Sequence, residues 1–265
     1  NYNDLNPLND YKVHAELQNQ NAAKITNNKV TYTVVDSTAQ KEELETLIQS
    51  DAIVKQLVEE VRSKSQPKKK ILIAIPTARN IEATTFKSIY DLEIPDGYDT
   101  TFQFFYGYQV DQVRNLIADW VVKGFDYLFA VDSDISFAPD TLKRLIAHNK
   151  DIVSGIYRQR VPERQTLEIF ESNDRGGYTH IDWEKIKGKG LVEIGACGFG
   201  CVLIKKQVME DIGYPQFAYK SALDHNHTFS EDLFFAKKAS EKGYKFYADT
   251  DILCDHTGSF VFRVT

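Results

Sequence analysis

Two aspartates one residue apart, Asp132 and Asp134, directly follow the apolar run Tyr127–Val131. Carboxylates at i and i+2 at a strand's end can turn towards one crevice as the chain leaves the sheet. Such a pair is costly unless a cation sits between them, or between them and a bound diphosphate. A divalent ion there would neutralise the diphosphate and the charge that develops on it as a bond breaks. Turn or capping acidity is the plainer alternative, because Asp is common in loops. A second acidic pair, Glu231-Asp232, opens the amphipathic segment Leu233–Ser240, with Ser230 as a natural cap and Gly243 as its stop. Acids in a helix's first turn ordinarily complement the dipole. His256 follows the strand-like Tyr247–Cys254, beside Thr257 and Gly258, where a third metal ligand would be wanted. A lone histidine is more often structural than a ligand.

These residues need a scaffold, and the hydrophobic pattern supplies one. Ile71–Ile75 is a continuous apolar run ended by Pro76, as expected for a strand buried on both faces. Thr101–Tyr106, Tyr127–Val131, Ile152–Tyr157, Cys201–Ile204 and Tyr247–Cys254 read as further strands. Asp111–Lys123 has helical spacing, with Val113, Leu116, Ile117, Trp120 and Val121 on its apolar side and Gly124 stopping it. Pro139–Asn149 is the next helix, opened by Pro139 or Asp140. Strands alternating with helices imply right-handed crossovers and a mainly parallel α/β sheet. Ligands in such sheets gather at the carboxyl ends of the strands, where Asp132, Asp134 and His256 fall.

Outside this frame, residues 1–30 are rich in Asn, Gln and Asp and read as an extended arm. A helix is expected from Ser37 to Ser63, then a basic linker towards Lys70. The domain reading is therefore an N-terminal arm and helix over 1–66, followed by one α/β domain over 67–265. The stretch Glu163–Gly190 shows little periodicity and reads as a mobile loop, in which Trp183 either stacks on a sugar or anchors the chain. Asp224-His225-Asn226-His227 looks like metal bait but reads better as a second loop of that kind.

Composition removes several classes. The 265 residues are 42% hydrophobic, enough for one substantial domain plus an extension. A net charge of −6 argues against a broad nucleic-acid footprint. Three cysteines make no disulfide framework, so a reducing, cytoplasmic setting is the simpler expectation. Cys197 and Cys201 lack a second pair at zinc-ribbon spacing and read as small buried thiols. No apolar run reaches the roughly 18 residues of a membrane span, and Asn1–Asp10 does not look like a signal peptide.

Taken in order, Asp132-Ser133-Asp134, Gly195-Ala196-Cys197-Gly198-Phe199-Gly200, Ser230-Glu231-Asp232 and His256 resemble the GT-A superfamily of glycosyltransferases, over roughly Lys70 to Gly258. The stretch Asp132–Arg158 is also similar to Anp1-type mannosyltransferases and to small phage-type or virus-type glycosyltransferases. Each motif is short; their order and spacing carry the likeness. The resemblance implies a Rossmann-like GT-A sheet flanked by helices, with the N-terminal segment as an extension. It implies transfer of a sugar from a nucleotide-sugar donor, UDP- or GDP-linked, to a hydroxyl of a glycan or other acceptor.

By that resemblance, Asp134 and His256 ligate manganese or magnesium (Mn2+ or Mg2+), with Asp132 bridging metal, water or ribose. Pro76, Thr77 and Arg79 lie beside the nucleotide base. Arg114 and Asn115 contact donor ribose or phosphate, though for Arg114 a surface ion pair is an equal alternative. Ser133 belongs to the same donor motif, and Gly198 and Gly200 let the backbone approach the donor sugar. Asp232 acts on the acceptor hydroxyl or orients the sugar, with Glu231 as the second candidate. A sugar-nucleotide nucleotidyltransferase would need a glycine-rich phosphate loop after the first strand, and Ile75–Asn80 has no glycine. A non-catalytic carbohydrate-binding module would leave the four ordered motifs unexplained.

Overall fold

The computed structural model describes residues 67–265 except 108, 162–165, 175, 222–227, 259–260, 263 and 265. The expected arm and helix of 1–66, and the 224–227 segment, lie outside the described residues. A compact unit spans Lys68–Thr265. Its elements in order are β1 (Lys69–Thr77), α1 (Ala83–Tyr90), β2 (Tyr98–Tyr106), α2 (Val110–Gly124), β3 (Tyr127–Val131), β4 (Ile135–Ser136), α3 (Thr141–Ala147) and β5 (Ile152–Ile156). Then come β6 (Ile169–Ser172), β7 (Tyr178–His180), α4 (Trp183–Ile186), β8 (Leu191–Ile194), β9 (Ala196–Cys197), β10 (Cys201–Lys205) and α5 (Lys206–Ile212). The chain continues through β11 (Lys220–Ser221), β12 (Thr228–Phe229), α6 (Glu231–Glu241), β13 (Phe246–Leu253), β14 (Asp255–Thr257) and β15 (Val261–Phe262).

The central sheet has seven strands in the order β2-β1-β3-β10-β5-β13-β8. β1 pairs in parallel with β2 and β3, and β13 with β5. β10 runs against both β3 and β5, and β8 against β13. Five of the seven strands therefore point the same way, and helices flank the sheet. This is the α/β architecture that the GT-A resemblance implies.

Period-two alternation sorts the strand side chains between two cores. Leu72, Ala74, Leu128, Ala130, Ile152, Val202 and Ile204 join α2, α5 and α6 on one face. Ile71, Ile73, Ile75, Phe129, Val131, Val153 and Leu203 meet α3, with Ile89 of α1, on the other. Each such side chain contributes about 1.5–3 kcal/mol on full burial. That explains why β1, β3 and β10 read as unbroken apolar runs: both of their faces are inside.

Three sequence expectations need correction. β1 does not stop at Pro76 but continues to Thr77. Pairing with β3 ends at Ala74, so the missing proline N–H leaves no gap in that ladder. In α2 the buried face is Val113, Arg114, Ile117, Ala118 and Val121, whereas Leu116 and Trp120 are exposed. Trp120 instead packs edge-on against Phe105, with ring centroids 5.2 Å apart. The stretch within Glu163–Gly190 is not a featureless loop: β6 and β7 form a hairpin, β6 also pairs with β9, and Trp183 is a buried anchor on α4.

Candidate active site

Asp132 leaves β3 with its N–H bonded to the Gly200 carbonyl (3.2 Å), and its own carbonyl accepts from Ile135 N–H (3.2 Å). The resulting turn projects both aspartates at the sheet's carboxyl end. β4 then pairs antiparallel with β14, placing His256 opposite Ile135. The Thr257 N–H donates to the Asp134 carbonyl at 2.8 Å. Strand pairing thus closes the long sequence gap between the aspartate motif and the histidine.

Arg114, one turn into α2, is the centre of charge. Its guanidinium lies 3.2 Å from Asp132 Oδ1, 3.4 Å from Glu231 Oε1 and 3.2 Å from Asp232 Oδ1. It also lies over the Phe199 ring, 4.9 Å from the centroid. The pairings are not equally good: Arg114 Nε and Asp232 Oδ1 are buried without a well-formed hydrogen bond. One buried cation therefore serves three carboxylates. Burial alone would lower the arginine's pKa, but Asp232, Asp132 and Glu231 together raise it. The surface-ion-pair alternative for Arg114 is excluded by this burial.

The same crowding acts on the acids. Burial raises the Asp232 carboxyl well above its usual range, with Glu231 and Asp132 adding to the rise and Arg114 opposing it. Asp132 is raised chiefly by burial, against Arg114, with Asp134 adding to the rise. Ser230 caps α6, its hydroxyl accepting from Leu233 N–H at 3.4 Å. Glu231 and Asp232 therefore complement the helix dipole and also enclose Arg114.

Asp134 and His256 face each other, with Oδ1 and Nε2 3.5 Å apart. The His256 Nδ1 lies 2.7 Å from the Arg158 carbonyl, to which it donates. In the neutral ring Nε2 then carries its lone pair towards Asp134. A carboxylate oxygen and an imidazole lone pair so disposed suit a divalent cation such as Mn2+ or Mg2+. Among the described residues no group of three or more His, Cys, Asp or Glu side chains is arranged to hold a metal.

The other predicted positions divide. Ser133 accepts the Glu82 N–H at its carbonyl (2.8 Å), tying the aspartate turn to the start of α1. Thr77 Oγ1 donates to the Asn80 carbonyl (2.8 Å), shaping the turn after β1 in which Arg79 is exposed; Pro76 is half-buried. Asn115 is spent elsewhere: its amide donates to the carbonyls of Phe217 (2.6 Å) and Asp111 (2.8 Å). Its oxygen accepts from Gln216 and Phe217 N–H. Gly198 and Gly200 make room for Tyr157. A Cβ on Gly198 would fall 2.2 Å from the Tyr157 hydroxyl, and one on Gly200 2.8 Å from Tyr157 Cζ.

Sequence reasoning missed Tyr157, Arg160 and Glu168. The Tyr157 hydroxyl accepts from Gly200 N–H (3.0 Å), and its ring packs edge-on against His256. Burial pushes its pKa well up, with Asp132 and Glu168 adding. Glu168, beside Gly198, is also raised by burial, against a hydrogen bond from Gln159. Arg160 Nη1 sits 2.7 Å from Asp134 Oδ2. The one available signal was position: Tyr157 and Arg160 follow the carboxyl end of β5.

No protein-family model matches the chain. Among solved structures, A197 from STIV aligns at 20% identity and a TM-score of 0.49, over 71% of this chain and 86% of that one. GalNAc-T7 with UDP, GalNAc and Mn2+ aligns at 11% identity and a TM-score of 0.48, over 72% of this chain. S. aureus TarS 1-349 in complex with UDP-GlcNAc aligns at 14% identity and 0.41, over 69% of this chain. This chain spans 44% of the GalNAc-T7 chain and 56% of the TarS chain, less than two thirds of either. No helix among the described residues is long and apolar enough to cross a membrane.

Proposed function

We propose that the chain is a metal-dependent glycosyltransferase that moves a sugar from a nucleotide-sugar donor to an acceptor hydroxyl. The observation that carries this reading is the gathering of Asp132, Glu231 and Asp232 around the buried Arg114, beside the Asp134–His256 pair. A stable core gains little from three carboxylates on one cation, because desolvation and repulsion oppose folding. A site that handles a diphosphate and a proton benefits from both.

In this reading Asp134 and His256 hold the divalent ion, with Asp132 alongside. Bound there, the ion would neutralise the diphosphate as the sugar–phosphate bond breaks. The chain's own residues do the rest. Asp232, at the mouth of α6, accepts the proton of the acceptor hydroxyl, and the upward shift of its pKa by burial makes its ionised form a stronger base. Arg114 keeps Asp232 and Asp132 in place, and Glu231 fixes the guanidinium from its far edge. The turn at Thr77–Arg79, tied through Glu82 to Ser133, would border the nucleotide.

Thermal shift with UDP-, GDP-, CMP- and dTDP-sugars tests the reading directly. One nucleotide sugar should raise the melting midpoint with Mn2+ and lose that effect in EDTA. A ligand at a hundred times its Kd adds about 2.7 kcal/mol. Asp134→Ala should remove the metal-dependent part while leaving the ligand-free midpoint near that of the parent. Failure of every nucleotide sugar to shift the midpoint in Mn2+ would overturn the proposal.

A further inference from the structure

The site contains two arginines with opposite characters. Arg114 has a side chain 7% exposed and three carboxylate partners. Arg160 has a side chain 51% exposed and pairs with Asp134, whose own side chain is 16% exposed. The carboxylate is thus anchored and its cation is not. An exposed pair of this kind contributes little to folding, because solvent screens it and a long side chain must be held in one geometry. Among the described residues, the ion pair with Asp134 is the contact that holds the Arg160 head group.

Asp134 presents its two oxygens to two different groups. Oδ1 faces His256 Nε2 at 3.5 Å and Oδ2 is held by Arg160 at 2.7 Å. The same short segment supplies both restraints, since the carbonyl of the buried Arg158 orients His256 and Arg160 covers the carboxylate. Resting on the glycosyltransferase reading, we propose that Arg160 is an exchangeable counter-ion: it neutralises Asp134 before a divalent cation binds, and moves to the donor's diphosphate when the cation takes its place. A guanidinium fork matches phosphate oxygens as well as it matches a carboxylate. The device keeps the carboxylate compensated in both states and makes Arg160 a positioning residue for the donor.

The exchange predicts effects of opposite sign on two ligands. Calorimetry on the full chain would measure Mn2+ binding without nucleotide, then UDP and GDP binding at saturating Mn2+. Arg160→Gln should tighten Mn2+ about two- to fivefold, the worth of a partly exposed ion pair. It should weaken the bound nucleotide diphosphate about tenfold, as loss of a charge-assisted hydrogen bond does. Arg160→Lys should return Mn2+ affinity towards the parent value and recover the nucleotide only in part, because an ammonium lacks the fork. Lys123→Gln, which removes a positive charge from the far end of α2, should change neither. Unchanged affinities, or a change of the same sign for both ligands, would overturn the exchange. So would a lowered melting midpoint with both affinities lost, which would make Arg160 a structural tie. If the parent protein binds neither Mn2+ nor either nucleotide, the glycosyltransferase reading fails and the exchange fails with it. Parent-like binding by Arg160→Gln would remove the exchange alone.

Discussion

Two carboxylate sites in this protein, one fully and one partly buried, are built on opposite arithmetic. At the irregularity in the middle of β13, Asp249 alone is served by several donors: Arg144 Nη2 at 3.1 Å, His148 Nε2 at 2.9 Å and the Asp251 N–H at 2.9 Å. Arg144 also donates to the Asp251 carbonyl (3.1 Å), which locks the corner. At the end of β3, Asp132, Glu231 and Asp232 share Arg114, and some of the contacts are poorly aligned. The first cluster has donors to spare and the second has too few. Burial raises the Asp249 carboxyl, but the His148 hydrogen bond, the Asp251 N–H and Arg144 outweigh it and hold the group below its usual range. In the second cluster burial wins, and Asp232 and Asp132 are raised. A satisfied carboxylate supports a fold; an under-satisfied one is ready for a ligand or a proton.

Removing charge should therefore separate the clusters. Asp232→Asn keeps the shape and deletes the charge, so turnover should fall about 10²–10⁴-fold. Because it also relieves repulsion, the melting midpoint at pH 7 should hold or rise. Near-parent turnover with a lowered midpoint would reduce Asp232 to a helix-dipole complement.

Arg114→Met takes the shared guanidinium from the buried Glu231 and the partly buried Asp132 and Asp232. Breaking a buried pair in this way costs about 3–5 kcal/mol. The loss should be greatest at neutral pH and smaller at pH 5, because raised carboxyls take up protons more readily than free ones. Urea unfolding at both pH values reads the difference. An equal loss at the two pH values would mean that Arg114 matters for its packing on Phe199 rather than for its charge.

The smallest expected effect sharpens the comparison most. Asp249→Asn should cost about 1.5–3 kcal/mol at pH 7, the range for hydrogen bonds to a charged group. The sign against pH follows from linkage. A depressed carboxyl contributes stability that is present above its unfolded pKa of about 3.9 and is lost as pH falls through the lower folded value. Asp249→Asn should therefore flatten the acid limb of the stability curve. A raised carboxyl does the reverse: the native state binds more protons, so stability declines as pH climbs from about 3.9 to the folded pKa. Asp232→Asn should remove part of that decline. Parallel curves for the two variants would show that the clusters do not differ as described.

Much of this frame was legible in the residues. Tyr127–Val131 read as a strand and is β3 residue for residue, because an apolar run of that length between polar breaks has few other ways to be buried. Ser230 read as a cap and is one, since the hydroxyl and the orphan N–H lie three residues apart. The buried face of α2 was misread by one step: Leu116 and Trp120 are as apolar as Ile117, and only the neighbouring sheet and α5 decide which stripe is covered. Asn115 was expected as a donor contact because, with Arg114, it matches the helix that supplies such contacts in the family the sequence resembles. Its side chain is turned to the 216–217 backbone, and the choice between those directions belongs to the packed helix.

Local pattern by itself thus determined the central-sheet strands other than the edge strand β8, the aspartate pair at a strand end and the acidic pair at a helix start, because these depend on periodicity and on side chains a few residues apart. Only the tertiary structure decided which charges meet. The β4–β14 pairing carries His256 to Asp134, and α2 and α6 carry Arg114 into three carboxylates. The close approach of Tyr157 to Gly198 and Gly200, and the ion pair of Arg160, likewise join segments distant in sequence. Charge balance at a buried site is a sum over distant segments, and no window along one chain contains all its terms.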